Sequence, residues 1–244
     1  MSSTEKVVIV TGGNGGIGFA TGNEFLGNDY QVILADTADN IEIKKTGISY
    51  FSCNLNDLGA LESLFRFCKE KFGRLDVLIT AHGVHNSVKC IDATESDFDI
   101  VMNTNFKSIF FCCREALKLM DKGIIINIGS SVGIAADKDA PVYSASKAAL
   151  HQLTKCLAQE YGRRIRVNAI APGPIETPLL RRAFNNDPVT MEAVRKMNVR
   201  GIAQPEEVAK MIFFMASDTC QFMNGSIVPF DGGESITYSG EPPK

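Results

Sequence analysis

The sequence predicts an α/β fold in one domain: a doubly wound parallel sheet with helices on both faces. Short apolar runs alternate with amphipathic stretches along the chain, the pattern of strands joined by crossover helices. The run at 7–11 is almost wholly apolar, as expected of a strand buried on both faces. At 244 residues, with no repeat or linker, the chain suits a single core. We therefore expect one domain over residues 1–244.

The first half of the chain contains four runs typical of strands, rich in β-branched, leucine or aromatic residues: 7–11, 31–36, 48–53 and 75–80. A glycine-rich turn opens a helix at about 16–28, and an amphipathic stretch predicts another at 57–72. Only the eleven residues 37–47 separate the second strand from the third, so we expect a thin edge to the sheet there. A loop follows the fourth strand to about residue 95.

The second half continues the alternation. Three further strands are expected: 123–129, 165–171 and 226–230. Long helices are expected at 97–120 and 142–161, and another begins at Gln204, with a proline in its first turn. Pro172 and Pro174 must end the sixth strand, because proline lacks the N–H that a sheet requires.

Composition and charge exclude several classes of protein. A formal net charge of -3 disfavours nucleic-acid binding, which depends on Lys and Arg. No apolar stretch approaches the roughly 18 residues that span a bilayer, and the start lacks the apolar core of a secretion signal. The 7 cysteines form no C-x-x-C pair, so reduced thiols and no metal site are expected. We expect a cytoplasmic protein with a small-molecule substrate.

A glycine-rich turn of the form T-G-x-x-x-G-x-G, from Thr11 to Gly18, joins the first strand to the first helix. Such a turn lets backbone amides and the helix dipole approach a pyrophosphate, although a plain tight turn has a similar composition. Asp36 ends the second strand, where an acidic side chain meets the ribose 2′-hydroxyl of NAD and repels the 2′-phosphate of NADP. No Lys or Arg lies within the turn or from Asp36 to Asn40. These features favour NAD as the cofactor.

A second cluster, Tyr143 and Lys147, lies beyond the middle of the chain with the Y-x-x-x-K spacing. On a helix this spacing puts a phenol and an ammonium about 6 Å apart along the axis. Ser130 directly follows the fifth strand, at the carboxyl edge where open α/β sheets bind ligands. The spacing alone is near chance, but together with the serine and the glycine turn it indicates an oxidoreductase.

With these motifs in this order, the sequence resembles the short-chain dehydrogenase/reductase family over about residues 6–233. Further matching pieces are Asn105 in M-N-T-N-F, N-I-G-S at 127–130, R-V-N-A-I-A-P-G at 166–173 and F-D-G-G at 230–233. The resemblance implies a Rossmann-type fold and NAD(H)-dependent interconversion of a secondary alcohol and a ketone.

The resemblance also implies the residues of the site. The catalytic set is Asn105, Ser130, Tyr143 and Lys147. Lys147 and the positive nicotinamide would lower the pKa of Tyr143, which takes the alcohol proton. Ser130 would bind the substrate oxygen, Lys147 the nicotinamide ribose and Asn105 a relay water. The cofactor contacts would be Gly12, Asn14, Gly16, Ile17, Gly18, Asp36, Asn54, Leu55, Gly83, Tyr143, Lys147, Pro172, Gly173, Ile175 and Thr177.

The sequence departs from the family after the fourth strand. The usual N-N-A-G is T-A-H-G at 80–83, so the asparagine that braces the sheet is absent and Thr80 is its expected replacement. His82 is more consistent with a structural role near the cofactor than with a catalytic base. His85 is the better candidate for contact with substrate. Ser131 is expected to be a structural neighbour of Ser130.

The segment 178–200 is predicted to be helical and corresponds to the family's variable lid. From about Glu234 the tail to residue 244 is expected to be loosely held. Arg181 and Arg182 in the lid are either solvated or bind an acidic substrate group. The two long helices carry surplus apolar residues, Phe106, Phe110, Leu150 and Leu153, which together with the resemblance predict a homotetramer.

Two alternatives to an NAD-dependent alcohol dehydrogenase remain. One is a 3-oxoacyl thioester reductase, which would favour NADPH and a basic patch for a carrier protein; Arg163, Arg164 and Arg166 are candidates for that patch. The other is a non-catalytic NAD-binding scaffold, which the complete catalytic set disfavours. A titration with both cofactors separates the first alternative from the leading interpretation.

Overall fold

A computed structural model of the chain describes residues 5–38 and 45–236. The described residues form a seven-stranded sheet in which every neighbouring pair of strands is parallel. Its strands are β1 (Val7–Thr11), β2 (Gln31–Asp36), β3 (Ile48–Ser52), β4 (Val77–Thr80), β5 (Gly123–Ile128), β6 (Ile165–Pro172) and β7 (Ile227–Phe230). The order β3-β2-β1-β4-β5-β6-β7 is that of a Rossmann-type doubly wound sheet, so the predicted fold class is confirmed.

Helices cover both faces of the sheet. They are α1 (Gly16–Leu26), α2 (Leu58–Phe72), α3 (Glu95–Met102), α4 (Ser108–Leu119), α5 (Pro141–Tyr161), α6 (Pro178–Ala183), α7 (Pro188–Met197) and α8 (Pro205–Ala216). Alternate residues of β1 point into two separate apolar cores, Val7 and Ile9 into one and Val8 and Val10 into the other. A strand with an apolar core on each side must be apolar throughout, which explains the continuous run in the sequence.

The long helix predicted at 97–120 is divided in the structure. Thr94 and Asp97 form a reciprocal capping box, so the helix begins at Glu95, slightly before the predicted start. A π-helical turn, Asn103–Lys107, then separates α3 from α4. Such turns are rare and occur frequently at functional sites. This one contains Asn105, a predicted site residue.

The helical segment predicted at 178–200 consists of two short helices, α6 and α7. Asn185 and Asn186 between them adopt positive φ angles of 53° and 56°, which a continuous helix cannot contain. Asp187 then caps α7 by accepting the backbone N–H of Thr190 at 2.9 Å. The break therefore follows from local asparagine and capping chemistry. That this segment is a lid stays a prediction.

The prediction that both long helices carry apolar residues beyond those needed to pack on the sheet is wrong for the second helix. Leu150 is fully buried in the core beneath α5, and Leu153 packs against the same core, so neither offers a free surface. Phe110 on α4 is 40% exposed, and Phe98 and Ile100 on α3 are 50% and 54% exposed. Of the two long helical segments that the sequence predicts, the one now divided into α3 and α4 therefore carries the exposed apolar side chains.

The predicted tail and the short segment after β2 lie only partly within the described residues. Of the predicted tail, Glu234–Ile236 form a 3₁₀ turn, and residues 237–244 lie outside the described residues. Residues 39–44, within the short segment after β2, also lie outside them. Among the helices of the described ranges, none combines the length and apolar character needed to cross a membrane.

Candidate active site

The candidate site lies at the carboxyl edge of the sheet, where β1 and β4 are neighbours. From β1 the chain proceeds outward to β2 and β3, whereas β4 continues in the opposite direction to β5, β6 and β7. Parallel sheets bind ligands in the crevice at such a switch in strand order. The glycine turn after β1, Asp36 at the end of β2 and Ser130 after β5 all lie at this edge.

The glycine turn is packed so closely that side chains are excluded from it. Gly12 has a φ of +67°, and a Cβ there would lie 2.6 Å from the backbone nitrogen of His82. A Cβ on Gly18 would lie 2.1 Å from the carbonyl oxygen of Gly12. The turn therefore presents bare backbone at the start of α1, a suitable cradle for a pyrophosphate. A groove of about 500 Å³ opens beside the turn, lined by Asn14 and Gly16 among others.

The Asp36 carboxylate is held beside that turn. Its Oδ2 accepts the backbone N–H of Asn14 at 2.9 Å, and its Oδ1 accepts that of Thr37 at 2.7 Å. These bonds, with a longer one of 3.4 Å from the Thr37 hydroxyl to Oδ1, fix the orientation of the side chain, and Oδ2 has a second lone pair for a ligand hydroxyl. The geometry suits a ribose that lies between the turn and β2.

The residues expected at the nicotinamide end surround the other side of the turn. A Cβ on Gly16 would lie 2.7 Å from Cγ2 of Thr177, so Thr177 borders the start of α1. Ile175 is buried and forms a bridge with Ala203. The N–H of Gly173, after Pro172, donates to Phe230 at 3.1 Å. At the adenine end Leu55 is buried, whereas Asn54 is exposed and its Oδ1 accepts the N–H of Asn56 at 3.0 Å.

Tyr143, in the first turn of α5, lies close enough to Ser130 for the serine hydroxyl to affect the pKa of its phenol. Burial raises the pKa of Tyr143 to about 12; the Ser130 hydroxyl acts in the lowering direction, and the Glu234 carboxylate raises it. Lys147, one turn further along, donates from Nζ to the carbonyl oxygen of Ile128 at 2.9 Å and lies 5.7 Å from the centre of the Tyr143 ring. Burial lowers the pKa of Lys147 to about 8.

The expected electrostatic coupling of these two residues therefore depends on a ligand. In the structure without a cofactor, burial dominates the environment of Tyr143, and the ammonium of Lys147 is directed at a backbone carbonyl. A positively charged nicotinamide near Tyr143 would change the environment of the phenol, and a ribose bound to Lys147 would change the hydrogen bonding of the ammonium. Gly83 borders the same ammonium: a Cβ there would lie 3.6 Å from Nζ of Lys147 and 3.1 Å from Oδ1 of Asn105.

Asn105 joins the π-helical turn to the loop after β4. Its Oδ1 accepts the N–H of Val84 at 2.8 Å, and its Nδ2 donates to the carbonyl oxygen of Val84 at 2.9 Å. Nδ2 also donates to Oγ of Ser146 at 3.2 Å, on α5 beside Lys147. The side chain thus links three segments of the site. Ser146 is a member of this network that motif reasoning did not identify.

His82 links the glycine turn to α4. Its Nδ1 lies 2.6 Å from Oγ1 of Thr11, and its Nε2 lies 2.7 Å from Oγ of Ser108. Because the Ser108 hydroxyl already donates to Thr104 at 2.7 Å, it accepts from Nε2. In a neutral ring Nδ1 then accepts from Thr11, whose hydroxyl makes this 2.6 Å contact in preference to the longer one of 3.3 Å to the carbonyl oxygen of Ile79. Burial, and then the charge of Lys147, lowers the pKa of His82 to about 3, so the ring is a neutral structural link.

Thr80 makes the contact expected of the missing asparagine. Its hydroxyl donates to Oδ1 of Asn127 on β5 at 2.8 Å, and Nδ2 of Asn127 donates to Oγ1 of Thr154 on α5 at 2.9 Å. All three side chains are completely buried. Two strands and the helix that carries Tyr143 are therefore joined by a continuous polar chain.

The predicted substrate residues have different surroundings. The ring of His85 packs edge-on against Tyr143 with 4.6 Å between centroids, and its buried Nδ1 has no hydrogen-bond partner in the described part of the chain. Burial lowers the pKa of His85, against an opposing effect of Asp137. Arg181, by contrast, forms an ion pair with Glu176 at 2.6 Å, and Arg182 is exposed.

The contact between Ser131 and Glu234 is a further feature of the site that sequence reasoning did not identify. The Ser131 hydroxyl donates to Oε2 of Glu234 at 2.5 Å across 103 positions of the chain. A Cβ on Gly173 would lie 2.9 Å from the same oxygen. The only available signal was the place of Glu234 directly after the matching F-D-G-G run, in a segment expected to be loosely held.

Comparison with known proteins agrees with this geometry. A family model described as enoyl-(acyl carrier protein) reductase matches residues 12–235. The chain is 33% identical over 240 residues to a 3-oxoacyl-[acyl-carrier-protein] reductase of Thermotoga maritima, covering 93% of this chain and 97% of the relative. This chain is a short-chain dehydrogenase/reductase.

Other members of the short-chain dehydrogenase/reductase family are similar over the same length. A meso-2,3-butanediol dehydrogenase of Serratia marcescens is 32% identical, with 99% of each chain covered. The ligand-free aldohexose dehydrogenase of Thermoplasma acidophilum superposes with a TM-score of 0.90 at 28% identity, over 99% of this chain and 98% of that chain. ElxO with NADP bound gives a TM-score of 0.89 at 30% identity, over 96% of this chain and 100% of that chain.

Proposed function

We propose that this protein is an NAD(H)-dependent oxidoreductase that interconverts a secondary alcohol and a ketone. The observation that carries the proposal is the convergence of Ser130, Tyr143 and Lys147 at the carboxyl edge of the sheet. Nζ of Lys147 lies 5.7 Å from the centre of the Tyr143 ring, and Ser130 is near enough to affect the pKa of the phenol. Related members of the family are dehydrogenases and reductases of hydroxyl and keto groups by name. The substrate's reacting oxygen would lie between the Ser130 hydroxyl and the Tyr143 phenol.

The catalytic roles follow from the chemistry of these side chains. A bound nicotinamide supplies the acceptor for the hydride that leaves the alcohol carbon. Tyr143 as phenolate takes the hydroxyl proton, and Ser130 donates a hydrogen bond to the oxygen as charge develops on it. Because burial raises the pKa of Tyr143 to about 12, the phenolate needs nearby positive charge, which Lys147 and the oxidised cofactor supply. Reduction of the ketone uses the protonated phenol.

NAD rather than NADP is proposed from the position of Asp36. Its carboxylate accepts hydrogen bonds beside the glycine turn, where a ribose hydroxyl would add a further donor and a 2′-phosphate would be repelled. The sequence supplies no Lys or Arg from Asp36 to Asn40 to pair with that phosphate. ElxO, a structural relative, binds NADP, so cofactor preference varies among similar folds.

The remaining cofactor contacts are proposed from position. The pyrophosphate would lie against the backbone of Gly12, Asn14, Gly16, Ile17 and Gly18. The other proposed contacts are adenine at Asn54 and Leu55, ribose at Gly83, and nicotinamide at Pro172, Gly173, Ile175 and Thr177. At Asn54 the amide would share its oxygen between Asn56 and the ligand.

The contributions of Asn105 and His85 are also proposals. Asn105 would hold the loop at Val84 and a relay water, the first through hydrogen bonds of 2.8 and 2.9 Å. His85 would contact substrate, since its ring touches Tyr143 and its Nδ1 is free to bond. The Arg181 pair with Glu176 weakens the idea that Arg181 or Arg182 binds an acidic substrate group.

The rival thioester reductase is favoured by the similarity to the Thermotoga enzyme but not by the proposed basic patch. Arg166 donates to the carbonyl oxygens of Met223 and Met215, at 3.2 and 3.1 Å, near the end of α8. Arg163, Arg164 and Arg166 also lie at the amino-terminal end of β6, the sheet edge opposite Tyr143. A carrier bound there could not deliver its thioester to the site.

We further propose that the protein acts as a cytoplasmic homotetramer on a small molecule. The exposed apolar residues of α3 and α4 support an association surface. A non-catalytic scaffold is disfavoured, because a scaffold has no need of the convergence of Ser130, Tyr143 and Lys147.

The proposed function is tested by a screen of NAD⁺ and NADP⁺ reduction at 340 nm over secondary alcohols, sugars and hydroxy acids. We expect turnover with NAD⁺ and a lower kcat/KM with NADP⁺. Tyr143→Phe should lower kcat by about 10²- to 10⁴-fold, the usual contribution of acid/base catalysis. Tyr161→Phe, at the far end of the same helix, is the matched control. Turnover of only 3-oxoacyl thioesters, with NADPH, would establish the rival instead.

A further inference from the structure

The carboxylate of Glu234 forms a second polar group at the active site, beside the Ser130–Tyr143 pair. It is held there by Ser131, the residue after Ser130, through a hydrogen bond of 2.5 Å to Oε2. It is close enough to Tyr143 for its charge to raise the pKa of the phenol. The side chain keeps contact with solvent, as expected at the open side of the site.

The backbone turn before Glu234 fixes this position. The Asp231 carboxylate accepts the N–H groups of Gly233 and Ser235, at 3.0 and 2.9 Å, and the Asp231 carbonyl accepts the Asn198 amide at 2.7 Å. Asp231 is thereby committed to shaping the turn. Oε1 of Glu234, in contrast, has no hydrogen-bond partner among the described residues.

The charges around the site match this arrangement. Burial raises the pKa of Glu234, the hydrogen bond from Ser131 acts in the lowering direction, and the carboxylates of Asp231 and Asp137 raise it further. Lys147 is engaged with Ile128 on the other side of Tyr143, and Arg181 is paired with Glu176. A substrate carboxylate beside the reacting carbon would therefore meet negative charge, whereas a hydroxyl would meet an acceptor.

We propose that Oε1 of Glu234 accepts a hydrogen bond from a second hydroxyl of the substrate, next to the reacting carbon. The enzyme then selects vicinal diols and, in reverse, the corresponding hydroxy ketones, and it discriminates against hydroxy acids. This assignment rests on the proposed function. An ionised carboxylate only accepts hydrogen bonds, so it distinguishes a hydroxyl donor from a methylene or a carboxylate at the same place.

The test compares three four-carbon secondary alcohols that differ in the group beside the reacting carbon: butan-2-ol, butane-2,3-diol and 2-hydroxybutyrate. The measured quantity is the ratio of kcat/KM values on one preparation, which does not depend on the fraction of folded enzyme. In the unchanged enzyme we expect the ratio of diol to butan-2-ol to exceed ten. Glu234→Ala should lower this ratio about ten- to a hundredfold, as for loss of a hydrogen bond to a charged group.

Two further variants distinguish a direct contact between Glu234 and the substrate from the electrostatic effect of the surrounding carboxylates. Glu234→Gln keeps the shape but removes the charge, and it should raise kcat/KM for 2-hydroxybutyrate relative to butan-2-ol severalfold. Asp137→Asn is the matched control: its carboxylate is also near Glu234 but accepts the N–H of Asp139 in its own loop. It should leave the diol ratio within about twofold.

Different results would refute the role of Glu234 and the proposed dehydrogenase function. Turnover with a diol ratio that Glu234→Ala leaves unchanged, or that Asp137→Asn lowers equally, would refute the role of Glu234 and leave the dehydrogenase intact. Absence of turnover of every secondary alcohol with both cofactors would refute the proposed function and this inference together.

Discussion

At the scale of single residues, the protonation of Tyr143 depends on its surroundings more than on its neighbour in the motif. The sequence predicted that Lys147 lowers the pKa of the phenol. In the structure burial raises that pKa to about 12, and Lys147 donates to Ile128. The motif identifies the pair, but burial arises only from packing, which no spacing encodes. Under the proposed function we therefore expect deprotonation of Tyr143 to depend on the positive charge of a bound cofactor.

Asp36 should determine the choice of cofactor. Asp36→Ser removes the repulsion of a 2′-phosphate and one acceptor for the ribose, while a hydroxyl remains to accept from Asn14. We expect the ratio of kcat/KM for NAD⁺ over NADP⁺ to fall at least tenfold, through both KM values. Steady-state kinetics with each cofactor measure this ratio.

The matched control for Asp36 is Asp29→Asn. Asp29 follows α1 and has a φ of 62°, a conformation that asparagine also tolerates. This variant removes a carboxylate of the same type at the opposite end of β2 and should leave the ratio unchanged. An unaltered ratio in Asp36→Ser would show that Asp36 does not contact the ribose.

At the scale of secondary-structure elements, periodicity located the strands and helices, but not their interruptions. The π-helical turn at Asn103–Lys107 contains Asn105, whose hydrogen bonds to Val84 join residues 21 positions apart, a contact that periodicity does not encode. The break at Asn185 and Asn186 was readable in principle, because two asparagines precede an Asp-Pro cap. The role of Thr80 was predicted because its place in the family pattern is fixed.

His82 should stabilise the junction of β1, β4 and α4. His82→Ala removes hydrogen bonds of 2.6 and 2.7 Å to Thr11 and Ser108, so we expect the free energy of unfolding to fall by about 1–3 kcal/mol. Urea denaturation at pH 7 measures this change. A variant as stable as the unchanged protein would refute the structural role.

The same residue gives a pH dependence. Folding lowers the pKa of His82 from 6.5 to about 3, so between these values the unfolded chain binds the proton and the folded chain does not. Stability should therefore fall as pH falls from about 6.5 towards 3, by up to about 1.4 kcal/mol per pH unit for this group. His82→Ala should show a shallower loss between pH 7 and pH 5. An equal slope in both proteins would contradict the assignment.

At the scale of the whole molecule, the fold class and the family followed from the sequence because they rest on patterns repeated along the chain. The Ser131–Glu234 contact did not, because it joins residues 103 positions apart and no motif describes it. The exposure of single side chains could not be predicted from the sequence either. Leu150 and Phe110 are both apolar residues of predicted long helices, yet Leu150 is completely buried and Phe110 is 40% exposed.

The exposed face of α3 and α4 should hold the proposed tetramer together. Light scattering at micromolar concentration should give about four times the chain mass of 26.5 kDa. Phe110→Glu should lower the mass, because a charge at a buried apolar contact is costly. Phe222→Glu is the control, since Phe222 is fully exposed outside these two helices. A mass of 26.5 kDa for the unchanged protein would exclude the tetramer.

The central claim is that Tyr143 assists direct hydride transfer between a secondary alcohol and a nicotinamide. It is tested most directly by a single turnover with an alcohol that carries deuterium on the reacting carbon. We expect the deuterium on the nicotinamide ring of the NADH formed. Tyr143→Phe should slow the transfer at least about 100-fold, while its affinity for NADH stays within threefold. Deuterium released to water, or an unslowed transfer in Tyr143→Phe, would contradict the account.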